Sequence, residues 1–249
     1  MQIFRRKELR AVVFDLDNTL LRSTIGARQG LVVASKTISA ELKKNGVRYS
    51  DNNLLTRLHW IDREMLRRKF LYNRDVWWKT LLAELGLSMR FPWIHGVTLK
   101  YWDAYARNSP PFSDAETTLR RIREMGLKIG LVSDSDGTPG MKRKRIRRVA
   151  FHRLFQAVVV SGEDTPRVKP GHESFRLIAQ RLRVGPRECV YVADNPRTDI
   201  TGAQAVGMKS IIVKRRGNNF GKPDYRIPSL GALPTFLKGY AGISRSLDR

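Results

Sequence analysis

Residues 11–19 decide most of what this chain can become. Ala11–Phe14 is a short apolar run rich in β-branched side chains, and it stops on Asp15-Leu16-Asp17-Asn18-Thr19. A strand with no polar face belongs inside a sheet covered on both sides, which in practice means a parallel sheet. Lys128–Ser133, Ala157–Ser161, Cys189–Asp194 and Ser210–Val213 have the same form, apolar strands followed by polar loops. Helical patterns lie between them. Ser113 and Glu116 have capping-box spacing, Leu119, Ile122 and Met125 continue along one face, and Gly126 is the stop. Strand and helix in alternation predict an α/β fold, a Rossmann-like parallel sheet core with helices on both faces.

The stretch from Leu21 to Pro110 follows another period. Leu54, Leu58, Ile61 and Met65 share a helical face, and Asp75 is placed to cap a helix carrying Val76, Leu81, Leu82 and Leu85, with Gly86 as its end. All five tryptophans (Trp60, Trp77, Trp78, Trp93 and Trp102) fall here, a pattern that suits the core of a helical bundle better than a stacking platform. The predicted organisation is a core of residues 1–21 and 110–249 interrupted by an all-helical unit, residues 22–109, with Pro110-Pro111 as the re-entry point. A chain of 249 residues is long enough for both.

Polar residues recur where the strands end. Asp15 and Asp17 follow the first strand and Ser133 ends the second. Lys169 precedes Pro170 before a later helix, and Asp194 ends another strand with Asp199 five positions on. Open parallel sheets bind ligands at the carboxyl ends of their strands, and right-handed crossovers keep those ends on one edge. Carboxylates gathered there repel one another unless a cation lies among them, and hard oxygen donors favour Mg²⁺. Any one of these residues alone reads equally well as a turn, a cap or a solvated side chain.

Taken together and in order, VVFDLDNTL, the serine of IGLVSDS, the lysine of RVKPGHESF and the acidic loop VADNPRTDITGAQAVGM resemble the four motifs of the haloacid dehalogenase superfamily, in its phosphatase branch with an inserted helical cap (phosphoglycolate phosphatase-like). The resemblance spans about residues 10 to 216, and PDYRIPSLGAL resembles the family's last segment. It implies Asp15 as nucleophile, Asp17 as general acid and base, Ser133 as phosphate ligand and Lys169 as the stabilising charge. It implies Mg²⁺ held by Asp15, Asp194 and the Asp17 main-chain carbonyl, with Asp199 in the outer shell or acting through Lys169. The cap, residues 22–109, is then what chooses the leaving group. Asp134, beside Ser133, and Arg67, Arg68, Lys69 and Arg74 in the insert are candidate substrate contacts. Two positions depart from the pattern. Ala193 stands where glycine is common, and Asn18 stands at another frequent glycine, although asparagine tolerates the left-handed conformation.

Forty-seven Lys and Arg against 23 Asp and Glu give a net charge of +24. Such a field attracts polyanions, unless it is a bias of composition spread over solvated faces. The run Met141–Arg148, with Lys142, Arg143, Lys144, Arg145, Arg147 and Arg148, is the candidate nucleic-acid surface. Two functions therefore follow. One is a Mg²⁺-dependent phosphatase of small phosphorylated metabolites; the other is a nucleic-acid-binding protein on this fold, acting on polynucleotide ends. Cys189 is the only cysteine, so a disulfide within the chain and a cysteine-built metal site are both excluded. No apolar run has the length of a membrane span and no signal-peptide pattern is present, so a cytoplasmic location is expected. The sequence leaves the oligomeric state open.

Overall fold

The computed structural model describes residues 9–66, 72–87, 91–215 and 221–240. By their contacts they divide into two units, one of Met1–Leu21, Pro111–Asp134 and Ile146–Arg249, the other of Arg22–Pro110 and Ser135–Arg145.

The first unit is built on a parallel sheet. Its strands are β1 (Ala11–Phe14), β2 (Lys128–Asp134), β3 (Ala157–Ser161), β4 (Cys189–Ala193), β5 (Lys209–Val213) and β6 (Tyr225–Ile227). Their order is β3-β2-β1-β4-β5-β6, with every pairing parallel. Alternation along β1 sends Val12 and Phe14 into one apolar layer and Ala11 and Val13 into the other. Helices α5 (Ala115–Glu124) and α9 (Leu233–Tyr240) fill the first layer with Leu119, Ile122, Leu233 and Leu237. The second is filled by α7 (Glu173–Arg181) and α8 (Thr201–Ala205) through Phe175, Ile178 and Ala203. Both faces of the sheet are thus covered, as an all-apolar strand requires. The chain winds from β1 to β2 and β3 on one side, then to β4, β5 and β6 on the other. The switch point lies between β1 and β4.

The start of α5 departs from the sequence expectation. The helix begins at Ala115, and Asp114 occupies the cap position without a side-chain capping bond. The Asp114 carboxylate accepts instead from Arg215 Nη2 at 2.8 Å and from the Leu230 N–H at 2.9 Å. Glu116 binds Arg120 one turn on, at 2.7 Å. A charge-assisted pair is stronger than a neutral cap, so the long-range partner wins. Gly126 follows the helix with φ of 78°, the left-handed stop expected of it.

The second unit is helical among its described residues: α1 (Ser23–Lys44), α2 (Asp51–Glu64), α3 (Arg74–Glu84), α4 (Ile94–Arg107) and most of α6 (Met141–Arg147). Leu54, Leu58, Ile61 and Met65 are buried as their spacing predicts. Trp77, Trp78 and Trp102 lie in the core of the unit, whereas Trp60 is 49% exposed. Asp75 does not cap α3. Asn73 does, accepting from the Asp75 N–H at 3.0 Å, while the Asp75 carboxylate bonds Thr98 Oγ1 and His95 Nδ1 on α4. Gly86 follows α3 with φ of 73°. Gly26 lets α1 lie against α4, since a Cβ there would overlap the Tyr105 carbonyl.

The basic run is not one exposed face. Lys142 and Arg145 are 3% and 4% exposed, and both reach Asp136 Oδ1, at 2.9 and 2.7 Å. Three apart on α6, they share its inner side, where a buried carboxylate draws them in. Lys144, Arg147 and Arg148 are exposed and Arg143 partly so. As a six-residue nucleic-acid surface the run is therefore incomplete. Arg67, Arg68 and Lys69 lie outside the described residues. Among the described residues no helix is long and apolar enough to cross a membrane.

Candidate active site

The site grows out of the carboxyl ends of β1, β2 and β4. Asp15 follows β1, and its N–H donates to the Val192 carbonyl of neighbouring β4 at 3.1 Å. Asn18 adopts φ of 61° in the turn that follows, the conformation its side chain tolerates. That turn brings Thr19 back over the strand ends. Its Oγ1 lies 3.0 Å from Asp15 Oδ2 and 3.3 Å from Asp194 Oδ1, and it accepts the Asp194 N–H at 3.1 Å. Ala193 sits fully buried as the last residue of β4, paired in register with Ile212, without the positive φ that would call for glycine.

Lys169 is 3% exposed, and its Nζ bridges Asp15 Oδ1 at 2.7 Å and Asp199 Oδ1 at 2.6 Å. Burial works against its charge, but the carboxylates of Asp15 and Asp199 hold its pKa well above the ordinary lysine value. The lysine is oriented from two sides. Asp134 Oδ1 accepts the Lys169 backbone N–H at 2.9 Å, and Tyr191 donates its hydroxyl to Asp199 Oδ1 at 2.9 Å. Thr198 Oγ1 donates to the other oxygen of Asp199 at 3.1 Å. Tyr191 escapes sequence reading because it sits in the middle of an apolar strand. Its one signal there is a phenolic oxygen that needs a partner when buried. Asp17 lies two residues beyond Asp15, partly exposed and bridged to Leu21.

Ser133 is wholly buried in β2, and its Oγ has no hydrogen-bond partner. Buried polar atoms are almost always paired, so this hydroxyl, like Ser161 Oγ on β3, has hydrogen-bonding capacity left unused. The carboxylates report a second deficit. Burial, with Asp199 and Asp17 adding to it against the pull of Lys169, raises Asp15 to about 6. Burial and the charges of Asp15 and Asp199 raise Asp194 to about 8. Lys169 offsets part of the charge on Asp15, while Asp194 shares the Thr19 hydroxyl with it and has no ion pair among the described residues; a hard divalent cation fits that donor set. Among the described residues no three His, Cys, Asp or Glu side chains form a metal cage. Mg²⁺ does not need one, since it takes one or two carboxylates and keeps several waters.

Comparison with known proteins supplies the family. The family model described as haloacid dehalogenase-like hydrolase matches residues 9–207, most of the chain. The chain belongs to the haloacid dehalogenase-like hydrolases. Among the similar proteins is a glyceraldehyde 3-phosphate phosphatase of Methanopyrus kandleri, 30% identical over 208 residues, covering 83% of this chain and 84% of the relative. A phosphoglycolate phosphatase of Yersinia pestis is 27% identical over 225 residues, covering 87% and 85%. In fold, the chain resembles the crystal structure of a haloacid dehalogenase-family phosphatase from Thermococcus onnurineus, with a TM-score of 0.69 and 24% identity over 93% of this chain and 99% of that one. The parallel-sheet fold and the family that the motifs implied are both borne out, and the chain is a phosphoric monoester hydrolase of the haloacid dehalogenase-like type.

Proposed function

We propose that this hydrolase cleaves small phosphorylated metabolites through an aspartyl-phosphate on Asp15, with Mg²⁺ as cofactor. The observation that carries the reading is the buried, unpartnered Ser133 hydroxyl on the strand beside Asp15, whose carboxylate is held by Lys169 and Thr19. Asp15 attacks the phosphorus as the ester P–O bond breaks, and Asp17 gives its proton to the departing alkoxide. Asp17 then takes a proton from the water that attacks the acyl phosphate, which frees inorganic phosphate and restores Asp15. Ser133 and Lys169 supply donors to the phosphoryl oxygens where charge is greatest. Asp199, Tyr191 and Asp134 hold Lys169 in place. Asp15 and Asp194 would hold Mg²⁺, which when bound neutralises the repulsion between nucleophile and phosphate. The inserted helical unit would act as the cap that selects the leaving group.

Relatives named for glyceraldehyde 3-phosphate and phosphoglycolate support a small substrate. The nucleic-acid reading finds no such support, because Lys142 and Arg145 are buried on Asp136. The test is phosphate release from a panel of small monoesters, with and without Mg²⁺, comparing the wild type with Asp15→Asn. Metal-dependent release that the substitution abolishes is expected. Absence of release by folded protein from every ester in Mg²⁺, or undiminished release by Asp15→Asn, would overturn the reading.

A further inference from the structure

The helical unit contains a second cluster of buried charge that hydrolysis at Asp15 does not use. Arg74, at the start of α3, is 4% exposed. Its guanidinium carbon lies 3.3 Å from the Trp77 ring centroid and 5.0 Å from those of Tyr101 and Trp102. Nη1 donates to the Tyr72 carbonyl at 3.3 Å and Nη2 to the Tyr101 hydroxyl at 3.2 Å. Among the described residues no carboxylate pairs with it. Arg145 shares one of these rings, lying 5.1 Å from Trp102, and is 4.0 Å from neighbouring Tyr105. Arg145 and Lys142 share the one carboxylate of Asp136, whose Oδ2 has no partner. Burial raises the Asp62 carboxyl, and the charge of Arg74 acts against that rise.

Among the described residues of this cluster two buried donors, Arg74 Nε and Trp102 Nε1, have no hydrogen-bond partner. Desolvating a guanidinium against ring faces while leaving one of its N–H groups unmade destabilises the folded unit. Stacking on Trp77 returns part of that cost, but it leaves the Nε–H without an acceptor. An incoming oxyanion supplies what is missing, namely an acceptor for both N–H groups and a counter-charge beside the Arg74 guanidinium. A carboxylate suits a partly engaged guanidinium, because its two oxygens can divide between the free Nε–H and the indole N–H.

We propose that Arg74 and Trp102, with Arg145 beside them, form a carboxylate-binding site within the helical unit. The site is independent of the phosphoryl chemistry at Asp15 and stands whether or not that reading does. Its ligand is a small organic acid, either free or as the acid group of a larger molecule.

Malonate is the probe, titrated into the full-length protein with chloride adjusted to constant ionic strength, following tryptophan fluorescence and Tm. A Ser133→Ala background keeps the candidate phosphate site from contributing. Saturable quenching and a rise in Tm are expected, with apparent affinity weakened about tenfold in both Trp102→Phe and Arg74→Lys. Trp102→Phe deletes one N–H and keeps a ring, and Arg74→Lys keeps the charge and loses the fork, so either serves if the other misfolds. No saturable response to malonate, or variants that titrate like their parent, would overturn the proposal. The source of the acid is read from kinetics without the background substitution. If the acid is part of the substrate, Trp102→Phe shifts the KM ratio of an acid-bearing ester to p-nitrophenyl phosphate about tenfold. A ratio that holds while malonate binding is lost assigns the site to a free acid.

Discussion

A buried hydroxyl with no partner costs a fold about 1–3 kcal/mol, and Ser133 Oγ is such a group. Removing it should therefore separate stability from activity. Ser133→Ala is expected to leave unfolding free energy equal to wild type or about 1 kcal/mol higher, because no hydrogen bond is lost. Ester turnover should fall about 10²-fold, the usual effect of deleting one donor to developing negative charge. Urea denaturation and phosphate release on the same preparation check both halves; a large loss of stability would give the serine a structural role. Asp15, Ser133 and Asp194 were legible in the sequence because each lies at the end of a strand, and Lys169 and Asp199 because they fall in the segments that lead from strand ends into the next helices. Tyr191 was not, since within a buried strand a catalytic neighbour and a core residue have the same local pattern. Asp134 was singled out for its place beside Ser133, but its bond to the Lys169 N–H depends on a contact 35 positions away.

Elements read well from periodicity and poorly from caps. The faces of α2 and α5 lie where their spacing places them, whereas the expected cap of α3 at Asp75 and the capping box of α5 do not form. Capping residues are short acids and hydroxyls that also serve long-range partners, and sequence cannot rank a local bond against Arg215 or Thr98. The basic run shows the same limit, as Asp136 decides which of its cations are buried. Two helical glycines give a test with opposite signs. A Cβ on Gly26 would overlap the backbone of α4, which cannot yield, while one on Gly96 meets nothing within 4 Å. Gly26→Ala is expected to lower stability by about 1–3 kcal/mol through overpacking. Gly96→Ala should raise it by about 0.5–1 kcal/mol through helix propensity. Thermal melts of the two variants check this, and a Gly26→Ala protein as stable as wild type would contradict the close approach of α1 and α4.

At the scale of the molecule, stability in acid should depend on carboxylates that take no part in the proposed chemistry. Burial acts against ionisation of Asp114 and Asp224, yet hydrogen bonds from Arg215 to the first and from Lys209 and Ser210 to the second hold both below the usual carboxylate range. A folded pKa below the unfolded one contributes stability that is complete above about pH 4 and is lost as pH falls through the lower folded value. Asp114→Asn is therefore expected to cost about 1–2 kcal/mol at pH 7, the modest figure reflecting partial exposure. The gap from wild type should close as pH drops below 4. Denaturant curves at pH 7 and pH 3 read the difference, and an equal gap at both would remove ionisation from the account. The parallel sheet, its helical layers and the gathering of the motif residues at one edge followed from sequence, because apolar period and crossover handedness act locally and leave few alternatives. Tertiary structure alone decided which cations are buried, that Tyr191 and Asp134 serve Lys169, and that Arg74 Nε and Trp102 Nε1 are left unpaired. Those outcomes rest on partners outside the helical and strand periods, six to nine positions away for Asp136 and Tyr191 and 35 for Asp134, whose competition for a few buried donors and acceptors no periodic pattern encodes.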